Sequence, residues 1–372
     1  MDFREFPLLD WIGAHAARAK NAAIATSGVV EFPLEALPFD LKKVDLHVPN
    51  LDGDLRLVEQ LCRIYGAEPD RMLETIGASE ANFLAMAALA DRGDRVVLET
   101  PTYGSLPSIA ASLGLKVVPL ERDFHMGFAV DLEALKRAAR KGTKLVVLTN
   151  LHNPSGVAVP KATLRGALEI ANDAGAILYV DEIFRDFGEG VPSVAELGGR
   201  AIATASMSKL YGLGWTRIGW MVTPDRKTAG RLRRARRLVA GAGSTFGGAV
   251  AAWALHEQAK FVARAKTIVA ENYTALEQWA EATPGVNLVR PDGGPICFPQ
   301  VRLPKGKTAK DLALALLKEK AVLTTPGELF GRPGHFRIGC GGDPARTGEA
   351  LAALQAALSP SGSGKARPRR RR

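Results

Sequence analysis

The stretch SMSKLYGLGWTRIGW sets Lys209 just behind an apolar run, flanks it with Ser206 and Ser208, and brings Arg217 eight residues later. A lone lysine at a strand end is ordinarily a surface charge. Two hydroxyls and a guanidinium beside one amine suit something else, a phosphorylated aldehyde. The amine forms an imine with the carbonyl, and the other groups hold the phosphate.

Five further elements bear on the same chemistry. In TIGASEANFLAM a strand ends at Ile76 and a Gly-Ala-Ser turn opens a helix from about Ser79. The free N–H groups of Ala78 and Ser79 would make an anion site, or Ser79 would simply cap the helix. VDEIF puts Asp181 at the end of a buried run. A carboxylate there can pair with a protonated pyridine nitrogen, as in pyridoxal phosphate, or cap the next turn. Glu182 beside it faces the other way along the strand and reads as structural. NLHNPSG offers the Asn153 amide to a phenolic oxygen, although such turns are common without function. Tyr103 in ETPTYG could stack on a pyridine ring or belong to the core. Arg337 in HFRIGC lies in an apolar strand, where a guanidinium needs a carboxylate, either the protein's own or a substrate's.

The elements that must position these residues can be read from the hydrophobic pattern. Seven short apolar runs cover residues 71–76, 94–100, 115–120, 143–150, 176–182, 201–207 and 217–222, with helical stretches between most of them. Buried strands alternating with helices predict an α/β fold with a mostly parallel seven-stranded sheet covered on both faces. Ligands of such sheets bind beyond the carboxyl ends of the strands. Gly77, Ser79, Tyr103, Asn153, Asp181 and the span from Ser206 to Lys209 all fall at those ends. After about residue 250 helices and short strands (VNLVR, GPICFPQV, AVLTTPG, HFRIGC) predict a smaller α+β lobe. The expected division is a segment 1–47 joining the small lobe, a large domain 48–255, a small domain 256–358 and a basic tail 359–372.

At 372 residues and 47% apolar composition the chain can bury more than one core. No apolar run approaches the ~20 residues a membrane helix needs. The opening MDFREFPLLDWIG has no basic segment leading into an apolar stretch, and three scattered cysteines suggest free thiols. A cytoplasmic enzyme is expected, with no metal site and no membrane partner. Of the net charge of +10, six charges sit at Lys365, Arg367 and Arg369 to Arg372, leaving +4 for the body. The tail follows SPSGSG, a linker composition, so loose attraction to polyanions is expected and specific nucleic-acid binding is not. RLRRARR (231–237) reads as a solvated helix face or subunit contact.

Taken together, SxSK followed by R-I-G, with NPSG, DE, the Gly-Ala-Ser turn and PTY, resembles the class I/II aminotransferase family of fold type I pyridoxal-phosphate enzymes. The resemblance spans residues 25 to 355. It implies that Lys209 holds the cofactor as a Schiff base and shuttles the substrate's proton. Asp181 would pair with the ring nitrogen, Asn153 would reach the phenolic oxygen, and Tyr103 would stack on the ring. Ala78, Ser79, Ser206, Ser208 and Arg217 would bind phosphate. Arg337, with Asn153, would grip the substrate carboxylate, and a side-chain pocket would form near Ser27, Gly28 and Val29. The family also implies a homodimer with its active site at the interface.

Two departures stand out. Most relatives carry Tyr three residues after the ring-pairing Asp; here that place is Phe184, which offers the phenolic oxygen no donor. Relatives also bring a Tyr from the neighbouring subunit, where LHVPNLDGDLR offers His47. The expected reaction is amino-group transfer between an L-amino acid and a 2-oxo acid, with 2-oxoglutarate the expected acceptor. A lyase or cyclase acting on a substituted amino acid would use the same cofactor residues. A regulatory module on this fold would carry a separate DNA-binding segment, and none reads out before residue 25.

Overall fold

The computed structural model describes residues 2–38, 44, 45, 47 and 51–359. The basic tail expected over 359–372 therefore lies, but for Ser359, outside the described residues. Every one of the seven apolar runs forms a strand: β1 (Met72–Ile76), β2 (Arg95–Thr100), β3 (Lys116–Glu121), β4 (Thr143–Thr149), β5 (Ile177–Asp181), β6 (Ala201–Ser206) and β7 (Ile218–Val222). They build one sheet in the order β1-β7-β6-β5-β4-β2-β3. Most neighbours are parallel, while β7 runs antiparallel to both β6 and β1. The reversal has a local cause. A parallel return needs a crossover of a dozen residues or more, whereas the loop from Met207 to Arg217 folds back at once. Consequently the start of β7 meets the carboxyl ends of β6 and β1, and Arg217 lies at the same sheet edge as Lys209.

The central strands are buried from end to end; β5 and β6 expose no residue. Helices cover both faces, among them α2 (Leu55–Tyr65), while α1 (Pro7–His15) near the N-terminus packs with the second core. The helix after β1, α3 (Gly77–Leu89), packs Leu84, Ala85 and Met86 against Leu98, Tyr179 and Met221 of the sheet. A second core joins Trp11, Ile24 and Ala25 to residues between Leu276 and Leu358. Its strands are short: β8 (Val286–Asn287), β9 (Ile296–Cys297), β10 (Gln300–Val301), β11 (Thr325–Pro326) and β12 (Phe336–Gly339). GPICFPQV, expected as one strand, splits into β9 and β10. Pro299 between them has no N–H for a ladder bond. Cys62, Cys297 and Cys340 are free.

The arginine cluster lies on α4 (Arg226–Val239) and is largely tied into the fold, not presented as a patch. Arg231 donates to Ala88 O at 2.7 Å, Arg233 to Met72 O at 2.8 Å, and Arg237 pairs with Asp52 at 2.7 Å. Arg236 is buried, donates to Leu51 O at 3.0 Å and faces the Glu74 carboxyl at 3.7 Å. These guanidinium groups satisfy carbonyl and carboxylate oxygens of the surrounding elements. No helix among the described residues is long and apolar enough to cross a membrane.

Candidate active site

Beyond the carboxyl ends of β1, β2, β4, β5 and β6 lies a cavity of about 290 Å³. Lys209, Asp181, Tyr103, Asn153, Ala78, Ser79, Phe184, Ser208 and Arg217 all line it. Ser206 does not line it directly, but its hydroxyl is 2.6 Å from that of Ser208. A second cavity of about 620 Å³ is lined by Gly28 and Arg337 and shares Lys209, Tyr103, Ser27, Ser208, Phe6 and Leu9 with the first. The sequence scatters these residues along almost the whole chain; the sheet edge gathers them.

One end of the first cavity is built for an anion. Helix α3 starts at Gly77, two residues earlier than expected, so Ser79 is inside the first turn and does not cap the helix. No side chain caps this end, which leaves first-turn N–H groups and the helix dipole facing outward. Gly77 has φ +68, and a Cβ there would come within 2.8 Å of the Arg217 guanidinium. Arg217 itself is held at φ +56, a strained conformation for a residue with a side chain. Its backbone N–H donates to Gly214 O at 3.3 Å, closing the turn that aims the guanidinium at α3. The Ser206–Ser208 hydroxyl pair completes a cup of donors suited to phosphate.

The floor is a buried carboxylate. Asp181 is 3% exposed, and its oxygens accept from Asn82 Nδ2 at 3.0 Å and from the Ile183 N–H at 3.1 Å. Burial pushes its pKa up, with these two bonds and the Lys209 charge opposing. Such a carboxylate gains from a cationic N–H placed against it. Asn82 is fixed in turn by the Tyr179 hydroxyl, which donates to Asn82 Oδ1 at 2.5 Å. Asn82 is not among the residues expected at the site. Its signal is nonetheless present as an amide in the otherwise apolar ANFLAMAAL, where a buried polar group must have a partner. Glu182 is structural, accepting from Val194 N at 2.6 Å and pairing with Arg185 at 3.3 Å.

The half-buried Lys209 has its Nζ 2.9 Å from Ser27 Oγ. Desolvation lowers its pKa to about 8, helped by the Arg337 and Arg217 charges and opposed by Asp181. An amine so poised is part neutral, and therefore nucleophilic, near physiological pH. Tyr103 lies between the two cavities with Phe6 packed edge-on, ring centres 5.3 Å apart. Phe184 is buried and brings only carbon to the wall.

Thr149 ties Asn153 down, although nothing in the run TKLVVLTN singles it out in the sequence. Its hydroxyl accepts from Asn153 N at 3.0 Å and donates to Glu99 at 2.6 Å, and Glu99 pairs with the buried Arg122 at 2.9 Å. The Asn153 side-chain oxygen is buried without a partner. Arg337 is 3% exposed; one nitrogen donates to Ala25 O at 3.3 Å, while Nε and Nη1 have no partner. Its guanidinium sits over Phe330 at 5.3 Å, and no carboxylate among the described residues pairs with it. Burial lowers its pKa to about 10. His47 is exposed, its N–H on Asp45, and lines neither cavity. The residues on either side of it are outside the described set.

A phosphorylated pyridine aldehyde fits these groups. The anion cup, the amine and the buried carboxylate lie along one cavity, and the Asn153 oxygen and two Arg337 nitrogens, buried without partners among the described residues, are free for polar atoms of a ligand.

Comparison with known proteins agrees. Residues 29–354 match the family model described as aminotransferase class I and II. Capreomycidine synthase of Streptomyces vinaceus is 31% identical across 97% of this chain and 95% of its own. A PLP-dependent aminotransferase from Streptococcus suis has a TM-score of 0.90 at 30% identity, covering 96% of this chain and 98% of that one. The PLP-dependent cyclase OrfR has a TM-score of 0.85 at 26% identity, over the same shares of the two chains.

Proposed function

Because the chain belongs to the class I and II aminotransferase family, we propose that it moves an amino group between an L-amino acid and a 2-oxo acid, with 2-oxoglutarate the expected acceptor. Its fold is that of the type I enzymes, and the family works with pyridoxal phosphate. When bound, that cofactor supplies an electron sink for the pair left as the substrate's Cα loses its proton.

In this reading each residue has a task. The α3 N–H groups of Ala78 and Ser79, the Ser206 and Ser208 hydroxyls and Arg217 bind phosphate. Asp181, oriented by Asn82, holds a proton on the ring nitrogen. Tyr103 covers the ring, and Asn153 donates to its phenolic oxygen. Arg337 takes the substrate's α-carboxylate on Nε and Nη1, and Asn153 and the backbone at Gly28 bound the same seat. Lys209 lifts the proton from Cα and gives it back later in the cycle. The observation that carries the reading is Arg337. A buried guanidinium with two idle donors beside a reactive lysine is costly unless a carboxylate arrives.

Replacing Arg337 by Gln should raise KM for the amino acid by about a hundredfold, as two charge-assisted bonds are lost. Thermal stability should hold or rise, because an unpaired buried charge is removed. Steady-state kinetics with a melting curve checks both. An unchanged KM would contradict the role.

A second reading is supported by the capreomycidine synthase match over nearly the whole chain and by the OrfR cyclase likeness. On that reading the same proton abstraction precedes loss of a β-substituent and ring closure. Screening amino acids without a 2-oxo acid separates the two. A transaminase stalls after its first half-reaction, with the amino group left on the cofactor; a lyase or cyclase keeps turning over. The proposal includes a homodimer in the cytoplasm. The exposed apolar side chains of Leu51, Leu55, Leu238 and Val239, near the Arg237–Asp52 pair, support a subunit contact there.

A further inference from the structure

Among the described residues, the hydrogen-bond partner of the Lys209 amine is Ser27, from the segment between the two cores. Ser27 lines both cavities, at their junction. Its backbone is gripped from two sides. On one, Val29 N donates to Lys209 O at 3.1 Å, and a Cβ on Gly28 would stand 3.3 Å from Lys209 Cδ. On the other, Val30 N donates to Gly341 O at 2.8 Å, and a Cβ on Gly341 would collide with Gly28 O at 2.1 Å. The segment is thus threaded between the lysine's own loop and the turn after β12. The fixed backbone sets the Ser27 Cβ beside the amine, so that only one short torsion remains to be ordered for the bond.

We propose that Ser27 is a positioning residue for Lys209, holding its nitrogen in place through both protonation states. A hydroxyl can do this because it accepts from the ammonium and, by turning its own proton, donates to the neutral amine. The charged groups facing the lysine cannot. Asp181 on β5 can only accept when ionised, and its oxygens are engaged by Asn82 and Ile183. Arg217 ahead of β7 and Arg337 on β12 are donors that oppose the ammonium. Tyr103 after β2 and Asn153 after β4 are neutral and line the same cavity, but among the described residues neither is hydrogen-bonded to the Lys209 amine. The inference rests on the reading of Lys209 as the proton carrier.

The test compares Ser27→Ala and Ser27→Thr in the full-length, cofactor-loaded protein. The alanine variant should slow the amino-acid half-reaction by about ten- to a hundredfold, the loss of one hydrogen bond to a charged group. KM should change little, and the deuterium isotope effect at the substrate Cα should grow. Threonine, which keeps the hydroxyl, should restore most of the rate. A second readout needs no cofactor: isotope-labelled reductive methylation of the apoprotein lets NMR follow the Lys209 titration. Loss of the acceptor should move that titration to lower pH in the alanine variant. A wild-type rate and isotope effect in Ser27→Ala, or a loss that threonine fails to restore, would overturn the proposal, provided Lys209→Ala is inactive. An active Lys209→Ala would instead sink the reading of the lysine itself.

Discussion

Lys209→Ala should turn over its amino acid on the order of 10⁴-fold more slowly than the native chain, the upper range for removing a positioned acid–base group. The visible absorption of the covalently held cofactor should vanish even where phosphate binding keeps the cofactor in place. No second lysine lines either cavity among the described residues, so no neighbouring amine can substitute. The pH dependence follows from the same environment. Burial and the Arg337 and Arg217 charges lower the amine's pKa to about 8. The neutral, reactive fraction therefore grows as pH rises and levels off above about 8. Uptake of pyridoxal phosphate by apoprotein, followed by absorbance, should show that limb. A rate still climbing about tenfold per pH unit above roughly pH 9 would mean that the amine is not desolvated.

Asp181→Asn is expected to cost about a thousandfold in turnover while leaving the fold intact. The amide is nearly isosteric and can keep a bond to Ile183 N. It cannot hold a positive charge on the ring nitrogen, so the developing carbanion loses its sink. The stability sign is opposite to the activity sign. Burial raises the Asp181 pKa in the folded protein. A raised carboxyl pKa means that folding is favoured by the proton, with the benefit lost as pH rises through the folded value. In apoprotein at pH above the folded carboxyl's pKa the ionised Asp181 is thus a destabilising group, and there Asp181→Asn should melt at least as high as wild type. That gap should close as pH falls toward the range where the carboxyl is neutral in both states. Melting curves across pH test the stability half, and kcat near neutral pH, down about a thousandfold, tests the other. A variant with near-native turnover would show that the carboxylate does not serve the ring.

Helix-capping and packing arguments alone do not separate these residues from their neighbours. Each has a bland reading: Ser79 as a cap, Asp181 as a turn residue, Arg337 as half of an internal ion pair. For Ser79 and Arg337 the structure removes the bland reading. The helix starts two residues before Ser79, and among the described residues no acid pairs with Arg337. For Glu182 the bland reading holds, through Val194 and Arg185.

The strands, their burial and the placing of Lys209, Asp181, Asn153 and Arg217 at strand ends are all legible in the chain. They rest on periodicity and turn chemistry, which act between near neighbours and so leave a mark in adjacent letters. The reversal of β7 is decided by pairing in the sheet. So are the partners that make the site work: Asn82 reaches Asp181 across 99 residues, Ser27 reaches Lys209 across 182, and Arg337 finds Ala25 across 312. Contacts at such separations leave no local signature of the partner: the amide in ANFLAMAAL shows that one is needed, not which. A serine in ATSGVV and an asparagine in an apolar helix gain meaning only when folding brings an amine or a carboxylate to them, because hydrogen bonding depends on distance in space and not along the chain.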